Sequence, residues 1–159
     1  MSTSLSLLEL KTQGRYQEAT ALALRQLAEE PEAATLHFQL ACLYDVQGLE
    51  QQAIPHYLAA LARDLPSAQR REAWLGLGST YRALGEYPAS LCAFDDGLSE
   101  FPQAKELMLF RAMTRYNLGD GKQAVADLLL LLAETSSDAD IRSYQRAIRH
   151  YATDLSLIG

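Results

Sequence analysis

The chain has 159 residues, of which 48% are hydrophobic, and a formal net charge of −6. This length and composition favour one folded domain with a buried core, and an acidic chain without a basic run argues against nucleic acid or an anionic membrane surface as a partner. No apolar segment approaches the roughly 20 residues that cross a bilayer, and the start, MSTSLSLLELK, lacks the basic region of a secretion signal. We therefore expect a cytoplasmic protein.

The cysteines and histidines predict neither a metal site nor a catalytic one. Cys42 and Cys92 belong to no CxxC pair and are expected to be reduced residues of the core or of a binding groove. His37, His56 and His150 lie in three different predicted elements. Because no set of nucleophile, base or metal ligands emerges, we expect a protein without a cofactor and without enzymatic activity.

Four glycines, each following a short apolar helical pattern, indicate an internal repeat. They are Gly14, Gly48, Gly85 and Gly119. The first and last of the three intervals between them match the period of about 34 residues that is typical of an array of helix-turn-helix units. The middle interval is three residues longer. This insertion falls within segment 65–71, where it either lengthens the connection or adds a turn to the front of the next helix.

Units one and two, residues 2–32 and 33–66, each predict two helices joined at a glycine. Their apolar residues recur at spacings of three and four, which places them on one face of a helix with 3.6 residues per turn. Pro31 closes the second helix of unit one. The residues that define these faces are Leu5, Leu7, Leu8, Leu10, Tyr16, Ala19, Ala23 and Leu27 in unit one, and Leu40, Ala41, Tyr44, Ala53, Tyr57 and Leu61 in unit two.

Unit three, residues 67–102, has the clearest pattern. Its first helix contains Trp-x2-Leu-Gly-x2-Tyr over residues 74–81, and its second has an apolar stripe around Phe94 that ends at Pro102. This spacing, followed by a small residue, Phe and then Pro, resembles the tetratricopeptide repeat (TPR). Ser90 stands where that family usually has alanine, and its small size still permits close approach of the two helices.

Unit four, residues 103–135, is a weaker copy, with Met108 where unit three has Trp74. The segment 137–155 predicts a capping helix instead of a fifth unit, because an array exposes an apolar flank that a helix with one apolar face can cover. The predicted start of this helix is a capping-box-like pair, Ser137 and Asp140, its apolar stripe is Ile141, Tyr144, Ile148, Tyr151 and Leu155, and its basic residues are Arg142, Arg146 and Arg149.

The resemblance covers about residues 2–135 and implies an all-α fold, a right-handed α-solenoid of about four units with a C-terminal capping helix. In TPR proteins the first helices of successive units line a concave groove that binds an extended peptide or a helix. The face opposite Trp74, Gly78 and Tyr81 carries the groove positions of unit three, and the same places in units two and four carry the others. The predicted partner-binding residues are Phe38, Gln39, Cys42, Asp45, Leu75, Ser79, Arg82, Leu109, Phe110, Met113 and Tyr116.

These groove residues favour an apolar or amphipathic segment of a protein as the partner. The TPR cochaperones that bind chaperones hold a terminal carboxylate with Lys, Asn and Arg, and that clamp is absent here. A mainly apolar and aromatic groove suits a helix laid into it. Gly76 either leaves room for a ligand backbone or reflects drift on an exposed face, and Arg82 either orients a partner carboxylate or pairs with Asp45. The residues in the places of the clamp are Ser4, Leu8, Gln39, Glu72 and Gly76.

The sequence leaves two alternatives open for the apolar groove residues. They could pack against neighbouring helices and leave no open groove, or a second copy of the chain could cover them in a homodimer. If the groove is open, replacing Met113 or Phe38 with a charged residue should abolish partner capture and leave the helices folded.

Overall fold

The computed structural model describes residues 4–158, so residues 2 and 3 of the first predicted unit lie outside the described residues. Over this range the chain forms ten α-helices and no strand, which confirms the predicted all-α class. The helices are α1 (Leu7–Thr12), α2 (Tyr16–Glu29), α3 (Ala34–Val46), α4 (Glu50–Leu61), α5 (Ser67–Ala83), α6 (Tyr87–Glu100), α7 (Lys105–Asn117), α8 (Gly121–Thr135), α9 (Ala139–Ser143) and α10 (Gln145–Thr153). The first eight pair in chain order as hairpins one to four.

Each of the four hairpins turns at one of the repeated glycines. Gly14, Gly48, Gly85 and Gly119 have φ of 70°, 71°, 77° and 85°, in the left-handed region that glycine adopts without strain. In all four turns the residue after the glycine donates its N–H to the carbonyl five positions back at 2.9 Å. This is the Schellman arrangement that ends an α-helix. The spacing of the glycines in the sequence is thus the spacing of one repeated backbone turn.

The three-residue insertion lengthens α5. This helix has 17 residues, whereas α3 and α7 have 13 each, so the insertion adds a turn to the front of the helix. Arg70 on this turn donates to the carbonyl of Leu61 at 2.9 Å and forms an ion pair with Glu100 at 2.6 Å. The extra turn therefore ties the end of α4 to the end of α6.

Hairpins two, three and four stack with their first helices in contact. α3 contacts α5 and α5 contacts α7, whereas within the described range no comparable contact joins α4 to α6 or α6 to α8. An array whose first helices lie closer together than its second helices curves with the first helices on the inside. The concave face is therefore formed by α3, α5 and α7, as in a TPR-like helical solenoid, and α1 holds the equivalent repeat position in hairpin one.

The core between hairpins three and four depends on two glycines. Phe94 and Leu107 are fully buried there. A Cβ atom at Gly78 would lie 2.6 Å from the Phe94 ring, and one at Gly97 would lie 2.8 Å from Cβ of Trp74. Because close-packed interiors hold no side-chain atoms at such distances, these glycines allow α5 and α6 to approach closely.

Ser90 adds hydrogen bonds to the same region. Its Oγ is fully buried, donates to the carbonyl of Gly78 at 2.7 Å and lies 2.9 Å from Oγ1 of Thr114. Since a carbonyl oxygen only accepts, the Thr114 hydroxyl donates to Ser90. The small residue thus preserves the close packing and links α6 to both α5 and α7.

The C-terminal segment differs from the single capping helix predicted over residues 137–155. It forms two helices, α9 and α10, which are separated at Tyr144, and the N-cap of α9 is Asp138 instead of Ser137. The Asp138 carboxylate accepts the N–H groups two and three residues ahead, both at 3.0 Å. A carboxylate that reaches two free N–H donors at a helix start caps it well, which explains the shift of the boundary.

α10 packs on α8 with only part of its predicted apolar stripe. Gln145 donates to the carbonyl of Ala133 at 2.6 Å, and Ala152 is buried. Tyr144 and Tyr151, which the sequence places on the covering face, are 64% and 41% exposed. The predicted cover over the apolar flank of the array is therefore incomplete.

Candidate partner-binding surface

The concave face carries one repeat position from each first helix. Leu8, Cys42, Ser79 and Met113 follow one another at the same intervals as the four glycine turns. Leu8 is 73% exposed, and the other three are half-buried. The predicted binding residues do not include Leu8. Its spacing of one repeat from Cys42 is the feature of the sequence that could have identified it.

Other apolar side chains of the first helices divide into exposed and covered groups. Tyr116, Val46 and Leu109 are 70%, 54% and 38% exposed. Leu75 and Phe110 instead pack against the buried cluster between hairpins three and four. The alternative in which neighbouring helices cover the groove residues therefore applies to Leu75 and Phe110, and does not apply to Tyr116 or Leu109.

Phe38, predicted as an exposed groove residue, lies in the hydrophobic core. It is 7% exposed and belongs to a buried cluster with Tyr57, Leu65 and Ala73. Its ring centroid is 6.5 Å from that of Tyr57. The prediction that a charged residue could replace Phe38 without unfolding the array is wrong, because α4 and α5 close over this position.

Asp45 and Arg82, which the sequence offered as a pair, have different partners. The Asp45 carboxylate accepts hydrogen bonds from the Tyr57 hydroxyl and, at 2.9 Å, from the Thr80 hydroxyl. Arg82 Nε donates to Oδ1 of Asn117 at 2.7 Å and so bridges α5 and α7. Burial raises the pKa of Asp45, and the two hydrogen bonds act in the opposite direction. Asp45 therefore links α3, α4 and α5 internally, away from a ligand.

Gly76 does not leave room for a ligand backbone. A Cβ atom at this position would lie 2.4 Å from the hydroxyl oxygen of Tyr57. The ring of Tyr57 is almost fully buried, so it occupies the space beside Gly76. The glycine is required by packing between hairpins two and three.

The remaining predicted groove residues, Gln39, Cys42 and Ser79, are half-buried. Burial raises the pKa of the Cys42 thiol, so it is a thiol rather than a reactive thiolate at neutral pH. The Oγ atom of Ser79 is buried and makes no hydrogen bond within residues 4–158. Cys92, by contrast, is an exposed residue of α6. Both cysteines are free, as the sequence predicts, but the prediction that Cys92 lies in the core or in the groove is wrong.

Two histidines that lie far apart in the sequence meet between α3 and α4. Nδ1 of His37 lies 3.1 Å from Nδ1 of His56, and Nε2 of His37 lies 2.9 Å from the carbonyl of Pro31. Because the carbonyl accepts, His37 carries its proton on Nε2 and His56 donates from Nδ1. The ring of His56 also stacks on Tyr44, with centroids 5.6 Å apart.

This histidine pair predicts a loss of stability below neutral pH. Burial and the proximity of His37 lower the pKa of His56 below its ordinary value of 6.5. Between 6.5 and the lowered pKa the unfolded chain binds more protons than the folded chain, so stability falls as the pH falls from about 6.5 through the lowered pKa. We expect the urea midpoint to drop as the pH falls below about 6.5 and to level off once His56 is protonated in the folded chain as well.

Replacing His56 with glutamine should remove most of this pH dependence. His150→Gln, which changes an exposed histidine of α10, serves as the matched control and should keep it. A slope that His56→Gln leaves unchanged would contradict the role assigned to the pair.

Neither a metal centre nor a membrane span is found in the part of the chain that the structure describes. Among residues 4–158, no group of three or more His, Cys, Asp or Glu side chains could hold a metal ion. In the same range, no helix is long and apolar enough to cross a bilayer.

Comparison with known families gives a match that spans most of these elements. The family described as Tetratrico peptide repeat matches residues 34–155, more than three quarters of the chain. The match begins at the start of α3, leaves α1 and α2 outside, and continues through α9 and α10, beyond residue 135 where the resemblance in the sequence ends. The chain therefore belongs to the tetratricopeptide repeat family, whose members are generally non-catalytic modules for protein–protein interaction.

Proposed function

We propose that this protein binds an apolar or amphipathic segment of a protein partner along its concave face. The proposal rests on one observation about charge. Of the five arginines of α5 and α7, four pair with carboxylates on neighbouring helices and the fifth, Arg82, bonds to a neutral amide, so most of the positive charge on these helices is already compensated within the chain. The pairs are Arg70 with Glu100, Arg71 with Glu106, Arg82 with Asn117, Arg111 with Asp95, and Arg115 with Asp127.

Exposed apolar side chains supply the binding energy in this proposal. Leu8, Val46 and Tyr116 are each more than half exposed on helices that form the concave face. Burial of apolar surface contributes roughly 25 cal/mol per Å², and tyrosine is enriched among the residues that dominate binding energies. A partner helix with one apolar face satisfies such a surface better than a charged peptide terminus does.

A selection from displayed amphipathic helical peptides, followed by measurement of affinity, tests the groove. We expect Leu8→Glu and Met113→Glu each to weaken the selected peptide by at least about tenfold, since each places a charge in the apolar contact. Both variants should keep their helical circular dichroism. Leu58→Glu is the matched control, because Leu58 is a 47% exposed leucine on the second helix α4. Equal binding by all three variants would exclude the concave face.

A homodimer is the alternative occupant of the same surface, because a C₂ interface would bury Leu8 or Tyr116 equally well. Exposed apolar side chains outside the concave face, such as Val125 on α8 and Tyr144 between α9 and α10, would extend such an interface. Light scattering over a tenfold range of concentration separates the two cases. A mass near 17.6 kDa supports a foreign partner, and a mass near twice that value supports self-association.

A further inference from the structure

The second helix of hairpin four exposes a face that is covered in the preceding hairpins. In α4 and α6 three apolar positions of this face are buried or half-buried: Ile54, Tyr57 and Leu61 in α4, and Leu91, Phe94 and Leu98 in α6. The residues one repeat after those of α6 are Val125, Leu128 and Leu132. They are 47%, 38% and 45% exposed. The face is therefore apolar in all three helices and uncovered only in the last of them.

The first helix of hairpin four shows the same change. Phe38 and Leu75 hold equivalent positions in α3 and α5, and neighbouring helices cover both side chains. Phe38 is only 7% exposed, and Leu75 packs against the buried cluster between hairpins three and four. Leu109 holds this position in α7 and is 38% exposed. The uncovered residues of α7 and α8 form one apolar groove of about 440 Å³, here called the end slot. It is lined by Leu109, Leu128, Leu131 and Leu132, by Thr135, and by the charged Lys105 and Glu106.

The helix α10 leaves this slot open because it packs on a different face of α8. Gln145 of α10 donates to the carbonyl of Ala133, Ala126 and Ala152 line one cavity between the two helices, and an ion pair of 2.9 Å joins Lys122 to Asp154. Ala126 and Ala133 follow Val125 and Leu132 by one residue each, which is more than a quarter of a turn around the helix. α10 makes no contact with α7 comparable to the contact between α5 and α7.

We propose that the end slot binds an amphipathic helix from a partner protein, in the way that α7 lies on hairpin three. The junctions inside the array specify what this helix must carry. Leu107 of α7 packs at Gly97, where a Cβ atom would lie 3.1 Å from the leucine, and the equivalent residues of the preceding junction are Ala60 and Ala73, both fully buried. The slot has Leu131 in this place. A partner helix therefore needs a small residue there.

The charge at the rim specifies a second feature of the partner helix. Arg71 of α5 pairs with Glu106, the residue directly before Leu107 on the covering helix. Lys105 stands at the equivalent position in α7, and its contact with Glu134, at 3.3 Å, leaves both side chains more than 40% exposed. An acidic residue directly before the small residue would reach Lys105. The slot thus selects an acid followed by Ala, Ser or Gly in the first turns of an amphipathic helix.

The chain's own C-terminal segment meets only one of these two requirements. Asp140 lies one repeat after Glu106, and Ile141 lies one repeat after Leu107. The acid is present, but the branched Ile141 would meet Leu131. At the inner junctions this place holds Leu107 against Gly97, or Ala73 against Ala60, so two large side chains do not meet there. Overpacking of this kind is destabilising, so Ile141 disfavours insertion of the C-terminal segment into the slot, and α10 packs on α8 elsewhere.

A peptide with the required pair is available in the chain itself. Residues 66–84, the sequence of α5, contain Glu72 followed by Ala73, and a fluorescein-labelled peptide of this sequence is the probe. We expect fluorescence anisotropy to detect its binding to the full-length chain. The same peptide with Ala73→Leu should bind at least about tenfold more weakly, because the leucine would meet Leu131.

Variants of the protein test whether the peptide binds in the end slot. Leu132→Asp should abolish binding, and Leu58→Asp on α4, the matched control, should not change it. Lys105→Glu should weaken binding by about twofold to fivefold, the scale of an exposed ion pair. A peptide with Glu72→Lys should restore binding to the Lys105→Glu protein, which a merely misfolded variant could not show.

Three results would overturn the proposal. The first is equal binding of the native peptide and the Ala73→Leu peptide. The second is loss of peptide binding in the Leu8→Glu protein but not in the Leu132→Asp protein, because that would assign the peptide to the concave face. The third is a dimer by light scattering that Leu132→Asp converts to monomer, because a second copy would then occupy the slot. Failure of the Leu8→Glu test alone would leave the end slot intact, so the two proposals fail separately.

Discussion

Glutamate in place of Phe38 is expected to lower the free energy of unfolding by about 4 kcal/mol or more. The substitution removes a ring that is 7% exposed and that packs with Tyr57, Leu65 and Ala73. It also places a carboxylate among apolar groups without a partner. Urea unfolding followed by far-ultraviolet circular dichroism measures the change, and the variant should be largely unfolded at urea concentrations that leave the native chain folded.

Leu109→Glu is the matched control for this experiment, since Leu109 occupies the same repeat position on α7. Its side chain is 38% exposed at the end slot, so the new carboxylate can remain in water. We expect a change within roughly 1 kcal/mol, as for other substitutions away from the core. Equal destabilisation by the two substitutions would mean that hairpin four is covered in solution, as hairpin two is.

Alanine in place of Phe94 is expected to cost about 3 to 5 kcal/mol of stability, the usual range for removing a buried aromatic ring. Phe94 is fully buried and packs against both α5 and α7. Because a repeat array is stabilised by contacts between neighbouring units, the loss weakens hairpins three and four together. Urea unfolding and the thermal midpoint should both report it.

A substitution at Gly78 tests whether the ring of Phe94 is the group that leaves no room for a larger residue at this position. Alone, Gly78→Ala should destabilise the chain by about 1 to 3 kcal/mol, because its Cβ would lie 2.6 Å from the ring. In the Phe94→Ala background the same methyl group would enter the cavity, so the two losses should not add. Gly121→Ala is the control, since its nearest neighbour would lie 4.0 Å away. Additive losses would contradict this account of the contact.

The difference between Phe38 and Leu109 also explains how far the candidate binding surface follows from the sequence. Helical periodicity predicts one face for α3, α5 and α7 and assigns the same exposure to every unit. Cover over that face comes from the next hairpin, one repeat further along the chain. The sequence therefore predicts Leu109 and Phe38 as equivalent, and only the presence or absence of a following unit makes one exposed and the other buried.

Polar contacts between helices could not be predicted from the pattern along one helix either. Asp45 bonds to Tyr57 and Thr80, which belong to α4 and α5, and His37 meets His56 across hairpin two. Such pairings depend on how far each helix is rotated and shifted against its neighbour. A residue's own position in the repeat does not contain that information.

By itself the sequence determined the helical repeat and its turns. Glycine alone adopts φ near 70° to 85° without strain, so a local signal at Gly14, Gly48, Gly85 and Gly119 was enough to place four hairpins. The tertiary structure alone decided which apolar residues are covered and where α10 lies. Burial is a property of two surfaces that meet, and α10 meets α8 on the side that carries the buried Ala126 and Ala133, away from Val125 and Leu132.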